Sequence, residues 1–178
     1  MKICIINFSG RRDGNCHDIA VFIEQTLAVE HEVMLFEMCN LNINPCGKCD
    51  YECFYKEKTC PHDNDDIVGI YDALCSSDLA YYIIPNYIDY PNAYFFMFSE
   101  RKQGYFASRP GQYLGIKKKF VVVSNTGEEN FRQILSRHVL DSDNGDFLFM
   151  ATKDFDKGNA RGGMMESEKA KEVVRGFC

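Results

Sequence analysis

Four cysteines fall within fifteen residues of the stretch NPCGKCDYECFYKEKTC: Cys46, Cys49, Cys53 and Cys60. Their spacing, C-x2-C-x3-C-x6-C, allows three kinds of chemistry. Four thiolates satisfy an iron–sulfur cluster. They equally suit a tetrahedral structural zinc, whose ligand pairs are usually spaced C-x2–4-C. A third reading is a thiol-bearing loop without metal, which covers a site or packs at a subunit interface. Asp50 and Glu52 set carboxylates among the thiols, with few donors nearby to offset them.

Disulfide pairing fits the sequence less well. Nine cysteines is an odd number, and Cys4, Cys16, Cys39, Cys75 and Cys178 are scattered singles. A disulfide scaffold is usually shorter and evenly paired, so a reducing, cytoplasmic setting is expected. MKICIINFSG is too short for a secretory apolar region, which needs about 7–15 residues, and no stretch approaches the ~18 apolar residues of a membrane span. The net charge of −6 and pI near 5.2 argue against nucleic-acid binding.

A second group of polar residues follows the first apolar run. KICIIN, residues 2–7, reads as a strand buried on both faces. SGRRDGNCH comes next, offering Ser9, Arg11, Arg12, Asn15 and His17, with Gly10 and Gly14 to let the backbone bend. It opens a helical pattern at Ile19, Phe22, Ile23 and Leu27. The N-terminus of a helix carries unsatisfied N–H groups and the positive dipole end, which suits a phosphate. The loop matches neither G-x-x-x-x-G-K-[ST] nor G-x-G-x-x-G, leaving a phosphate monoester or an ordinary solvated turn.

The elements that must position these loops alternate along the chain. Strands are expected at 31–38, 78–87, 117–127 and 146–152, with helices at 65–77, 92–102, 128–140 and 165–177. This alternation specifies βαβ units, a parallel sheet and one doubly wound α/β domain over residues 1–178. Pro85 is expected to end the third strand. Two connections are longer than such a fold needs: a cysteine-rich loop at 39–63 and a loop at 102–116. The latter carries Tyr105, Phe106 and Tyr113 as a candidate self-association surface. Lys117–Lys119 reads as a solvated strand start.

FSGRRDGNCHDIA resembles the phosphate loop of the NAD(P)H-dependent FMN reductase family, G-S-P-R-x-x-G-N-[ST], with Gly10 for proline and Cys16 for the hydroxyl residue. PNY at 85–87, FSER at 98–101 and SNTGEENF at 124–131 resemble further family segments in the same order. The resemblance implies a flavodoxin-like five-stranded parallel sheet, order 2-1-3-4-5, with helices on both faces. It implies FMN held by Ser9, Arg11, Arg12, Gly14, Asn15, Cys16 and His17 at the phosphate. Pro85, Asn86, Tyr87 and Ile88 would wall the ring, and Ser124, Thr126 and Gly127 would meet its polar edge. Arg101 and Arg109 would border the flavin.

The cysteine loop is similar to that of the iron–sulfur flavoprotein subgroup, C-x2-C-x2-C plus a fourth cysteine, with one extra residue here. That likeness implies a 4Fe–4S cluster on Cys46, Cys49, Cys53 and Cys60, with zinc as the lesser alternative. The expected activity is electron transfer from NAD(P)H, or a reduced carrier, to a quinone, flavin or other acceptor, in a homodimer or homotetramer. No side-chain acid, base or nucleophile is required, since the flavin supplies the chemistry. An electron-transfer module without turnover, and a zinc or thiol protein that has lost the flavin, are the rival readings.

Overall fold

The computed structural model describes the chain except residues 48, 56–59, 108–109, 126–130, 132, 134–144 and 157. Five strands form a parallel sheet: β1 (Lys2–Asn7), β2 (Glu32–Glu37), β3 (Leu79–Tyr87), β5 (Lys117–Ser124) and β6 (Gly145–Ala151). A two-residue strand, β4 (Tyr90–Pro91), pairs antiparallel with the end of β3. The order is therefore β2-β1-β3-β5-β6 with β4 off the path, rather than the expected 2-1-3-4-5. The five parallel strands fall in the anticipated places, and the count differs because β4 is too short to show as an apolar run.

Alternation along the strands builds two cores, one on each face of the sheet. Ile3, Ile5, Tyr81, Ile83 and Val121 face α1 (Asn15–Leu27) and the C-terminal helix α5 (Glu168–Phe177), where Ile19, Ile23, Ala170 and Val174 close the layer. Cys4, Ile6, Tyr82, Ile84, Phe120 and Val122 face the other way. There they meet α2 (Ile67–Cys75), α3 (Ala93–Phe106) and α4 (Pro110–Leu114). Aromatics dominate this second layer. Phe8 stacks on Tyr82 at 5.8 Å and meets Phe95 and Phe98 edge-on, each at 5.4 Å.

Several sequence expectations change here. β3 runs through Pro85 to Tyr87 instead of stopping at the proline. The reason is geometric: β1 pairs with β3 only as far as Asn7 opposite Ile83, and Phe8 N–H closes that edge on the Ile83 carbonyl at 2.9 Å. Pro85 lies beyond it, where a missing N–H breaks no ladder bond on that side. The stretch 102–116 is largely helical, since α3 extends to Phe106 and α4 follows. Phe106 and Tyr113 are buried core residues, so they do not form the exposed surface expected of them. Lys118 is buried as well. Its ammonium donates to the Tyr113 and Ile116 carbonyls at 2.8 and 2.9 Å and lies 4.3 Å from the Tyr113 ring centre. The helix expected over 128–140 falls almost wholly outside the described residues.

Candidate functional site

The carboxyl ends of β1, β3 and β5 open onto a cleft of about 160 Å³. Ser9, Arg11, Asp13, Gly14, Asn15 and Cys16 line one side, Pro85, Asn86 and Tyr87 another, and Val123, Ser124, Asn125, Thr152 and Ala160 the remainder. This is the position that an open α/β sheet reserves for ligands, at the reversal of strand order between β1 and β3.

The β1–α1 loop is fixed by its own backbone. Ser9 N–H donates to Asn7 Oδ1 at 3.0 Å, and Arg11 N–H donates to Ser9 Oγ at 3.1 Å. Gly14 then stands at φ 107°, ψ −178°, a region essentially restricted to glycine. A Cβ at Gly14 would lie 2.9 Å from the Arg161 carbonyl oxygen, so a second segment closes against the loop there. That segment is a turn at 159–162, in which Asn159 and Gly162 exchange backbone hydrogen bonds of 3.1 and 3.3 Å. Arg11 Nη1 donates to the Ala160 carbonyl at 3.0 Å, and Asn15 Nδ2 to the Asn159 carbonyl at 2.7 Å. Asn15 Oδ1 accepts from Met164 N–H at 3.0 Å. A guanidinium has five N–H donors, so one bond to Ala160 anchors the turn without exhausting the cation. No side chain caps α1, whose first N–H groups have no partner within a helix.

Across the cleft, Asn86 Nδ2 donates to Ser124 Oγ at 2.8 Å and joins the ends of β3 and β5. Thr152 Oγ1 donates to Asn125 Oδ1 and links the ends of β5 and β6. Tyr87 remains half exposed at the rim. Cys16 is nearly buried, and its thiol is pushed up to about 12, mainly by burial, with Glu37 adding to the effect. It faces the cleft as a neutral, weakly donating thiol.

Of the expected flavin contacts, the structure brings Ser9, Arg11, Gly14, Asn15, Cys16, Pro85, Asn86, Tyr87 and Ser124 together. Three lie off the cleft. Arg12 is exposed away from it; Ile88, 94% exposed, sits on the β3–β4 turn. His17 turns its Nδ1 to Glu37 Oε1 at 2.9 Å, while Asn7 Nδ2 donates to Glu37 Oε2 at 2.6 Å. Thr126, Gly127 and Arg109 lie outside the described residues. Sequence reading missed Asn125, Thr152, Asn159 and Ala160. The first two follow from the rule that ligands bind at strand carboxyl ends. The last two had one signal, the glycine-rich GNARGG after the final strand.

Arg101, expected to border the flavin, does not line the cleft. It points under the cysteine loop, where its side chain is only 4% exposed and pairs with Asp65, 1% exposed. Its Nη2 donates to the His62 carbonyl at 2.9 Å and to Cys60 Sγ at 3.8 Å, and Nη1 donates to the Asn44 carbonyl at 3.3 Å. The four cysteines lie within electrostatic reach of one another. Burial raises the Cys46 and Cys53 thiols, and the neighbouring cysteines raise them further. Among the described residues, however, no three His, Cys, Asp or Glu side chains converge as ligands of a single metal ion. The expected ligands Cys46, Cys49, Cys53 and Cys60 are therefore gathered but do not form a ligand shell. A mononuclear zinc, with each sulfur about 2.3 Å from one ion, does not fit this arrangement.

No protein-family model matches the chain, and a search of curated proteins finds no match. Solved structures do match. The chain is similar to a candidate quinone reductase from Klebsiella pneumoniae, with TM-score 0.71 and 14% identity over 99% of this chain and 83% of that one. An NAD(P)H:quinone oxidoreductase from Methanothermobacter marburgensis matches with TM-score 0.68 and 13% identity, over 99% and 92%. FerB, a flavoenzyme NAD(P)H:(acceptor) oxidoreductase from Paracoccus denitrificans, matches with TM-score 0.60 and 17% identity, again over 99% and 92%. At such identities the likeness establishes the fold. Among the described residues, no helix is long and apolar enough to cross a membrane.

Proposed function

We propose that the chain is an FMN-dependent oxidoreductase that draws electrons from NAD(P)H and delivers them to a quinone, flavin or comparable acceptor. The observation that carries this reading is the cleft at the ends of β1, β3 and β5. Its floor is a glycine-dependent loop with the Arg11 cation, set at the start of α1. Arg11, Ser9 and the first N–H groups of α1 would hold the phosphate, and Gly14 keeps the space that a side chain would fill. Pro85, Asn86 and the half-exposed Tyr87 would wall the ring, with Ser124, Thr126 and Gly127 at its polar edge. When bound, the flavin supplies the hydride chemistry; the protein binds and orients it. The three flavin- or quinone-linked neighbours support the reading through shared fold. The cysteine loop, in the same reading, takes a 4Fe–4S cluster on its four thiolates. The protein works in the cytoplasm as a homodimer or homotetramer.

Because the four-thiol loop leaves β2, next to β1 in the sheet, a second reading also has support: an electron-transfer module with no turnover of its own. Protein purified without air and assayed for flavin, iron, zinc, sulfide and NAD(P)H oxidation separates the two. Bound FMN with NAD(P)H-dependent reduction of a quinone is the expected result. Bound FMN with negligible NAD(P)H oxidation would favour the transfer module, and failure to bind added FMN would sink both.

A further inference from the structure

The last residues of β1 and β2 stand side by side, with Asn7 opposite Glu37 in the parallel register. Both follow Ile3, Ile5, Val33 and Leu35 onto the α1 face of the sheet. Asn7 is fully buried and Ser9 nearly so, which leaves no room for water to replace their partners. An amide has one donating and one accepting end, whereas a carboxylate only accepts. Glu37 Oε2 therefore takes the Asn7 Nδ2 end at 2.6 Å and leaves Oδ1 turned to the Ser9 N–H at 3.0 Å. Ser9 Oγ in turn accepts from Arg11 N–H. Glu37 is itself held by His17, in the first turn of α1, whose Nδ1 donates to Oε1. From the short turn after β2, Cys39 Sγ donates to the Arg11 carbonyl at 3.6 Å. Asn7, His17, Glu37 and Cys39 all lie behind the residues that line the cleft.

We propose that Glu37 is a positioning residue for the phosphate loop: it sets the Asn7 amide, which sets Ser9 and through it the backbone of Arg11, while His17 holds the carboxylate in place. This rests on reading the cleft as the FMN site. Glu37 acts through placement and not through charge. A carboxylate behind an anion site repels the phosphate it helps to receive, so its contribution lies in the accepting oxygen it offers to Asn7. Without that acceptor, Asn7 Nδ2 is buried and unpaired, or the amide turns over and sets its donor end against the Ser9 N–H. In both cases the amide is no longer fixed, and the loop must be ordered when the phosphate binds. Pro85, Asn86 and Tyr87 stand on β3, so the wall for the ring does not depend on this chain of bonds.

The test is fluorescence titration of the full chain with FMN and with riboflavin, which carries the same ring without the phosphate. Wild type should bind FMN more tightly than riboflavin. Glu37→Ala should lower FMN affinity about 10-fold, within the range for a buried donor left unpaired, and leave riboflavin affinity as it was. Glu37→Gln keeps an accepting oxygen for Asn7 and an amide donor for His17 without the charge, so it should bind FMN as wild type does or more tightly. His17→Ala frees the carboxylate while putting a good helix former in α1. It should lower FMN affinity roughly 3-fold, again with riboflavin unchanged, and it carries the test should Glu37→Ala not fold. Equal losses of FMN and riboflavin in these alanine variants would make Glu37 and His17 general structural residues and overturn the assignment. So would a Glu37→Gln protein that binds FMN as weakly as the alanine variants, or alanine variants that bind it as wild type does. Each of these results leaves the FMN reading standing. A wild type that binds riboflavin as tightly as FMN has no phosphate contact for Glu37 to position, and one that binds neither flavin overturns the FMN reading and the role of Glu37 together.

Discussion

The β1–α1 loop and the cysteine loop leave the same end of the sheet from neighbouring strands, yet they are held in opposite ways. The first is fixed from within. Hydrogen bonds from Ser9 to Asn7 and from Arg11 to Ser9, the glycine-only backbone at Gly14 and the 159–162 turn set its backbone residue by residue. The second is pinned mainly at its ends, by one buried ion pair on α3, and its middle exposes Tyr51, Phe54 and Tyr55. A loop fixed along its length is preorganised and spends little ordering free energy on binding a ligand. A loop held mainly by its anchors depends on that pair for its position.

The largest expected effect removes the clamp. Asp65→Ala leaves the Arg101 guanidinium buried without a counter-charge, which typically costs about 3–5 kcal/mol and should appear as a much lower urea midpoint. The pH dependence has a defined sign. Burial pushes the Asp65 carboxyl up, but hydrogen bonds from Asn44 N–H, the Arg101 side chain and Ile67 N–H outweigh it and hold the group below its usual range. A depressed carboxyl contributes stability that is fully present above its unfolded value, about 3.9, and lost as pH falls through the folded value. Wild type should thus lose more stability on acidification than Asp65→Asn. Equal slopes would show that the pair contributes nothing to the clamp.

Two smaller effects probe the loop that is fixed from within. Arg11→Ala should weaken FMN binding by about 1.5–3 kcal/mol, the range for hydrogen bonds to charged groups, or roughly 10–150-fold. Arg12→Ala, off the cleft, should leave FMN affinity nearly unchanged. Equal losses for the two arginines would mean that general positive charge, not the placement of Arg11, attracts the phosphate. Gly14→Ala forces a side chain into a glycine-only region, at about 1–3 kcal/mol, and against the Arg161 carbonyl. Its effect should combine lower stability with weaker FMN binding, read by thermal unfolding with and without FMN.

The sequence showed the two loops unequally. β1 and its polar loop were legible because strand, turn and helix are adjacent, and residues 2–7 form the strand as expected. Of the walls brought in from far along the chain, residues 85–87 and Ser124 were legible and the 159–162 turn was not: Ala160 meets Arg11 across 149 residues. Arg101 was visible as a motif residue, but its direction was hidden, because packing against Asp65 and Asn44 decides which way a helical arginine points. The 102–116 stretch looked like a loop because its glycines and Pro110 resemble turn signals. Burial of Phe106 and Tyr113 overrides that local tendency.

The missed strand β4 supplies the smallest prediction. Ile88 and Asp89 form the two-residue turn of the β3–β4 hairpin, both with positive φ, 52° and 65°. Turns of this kind normally announce themselves as Asn-Gly or Asp-Gly, and an isoleucine there hides the hairpin from any reading of the sequence. The left-handed conformation costs an L-residue roughly 1–2 kcal/mol. Ile88, 94% exposed, recovers little of that cost by burial. Ile88→Asn should therefore raise stability by about 0.5–1 kcal/mol, since asparagine tolerates this conformation better, visible as a modest rise in Tm. Because Ile88 lies off the cleft, FMN affinity should stay as in wild type. A lower Tm would mean that the exposed side chain is covered in the assembled protein, placing the hairpin tip at a contact between copies of the chain.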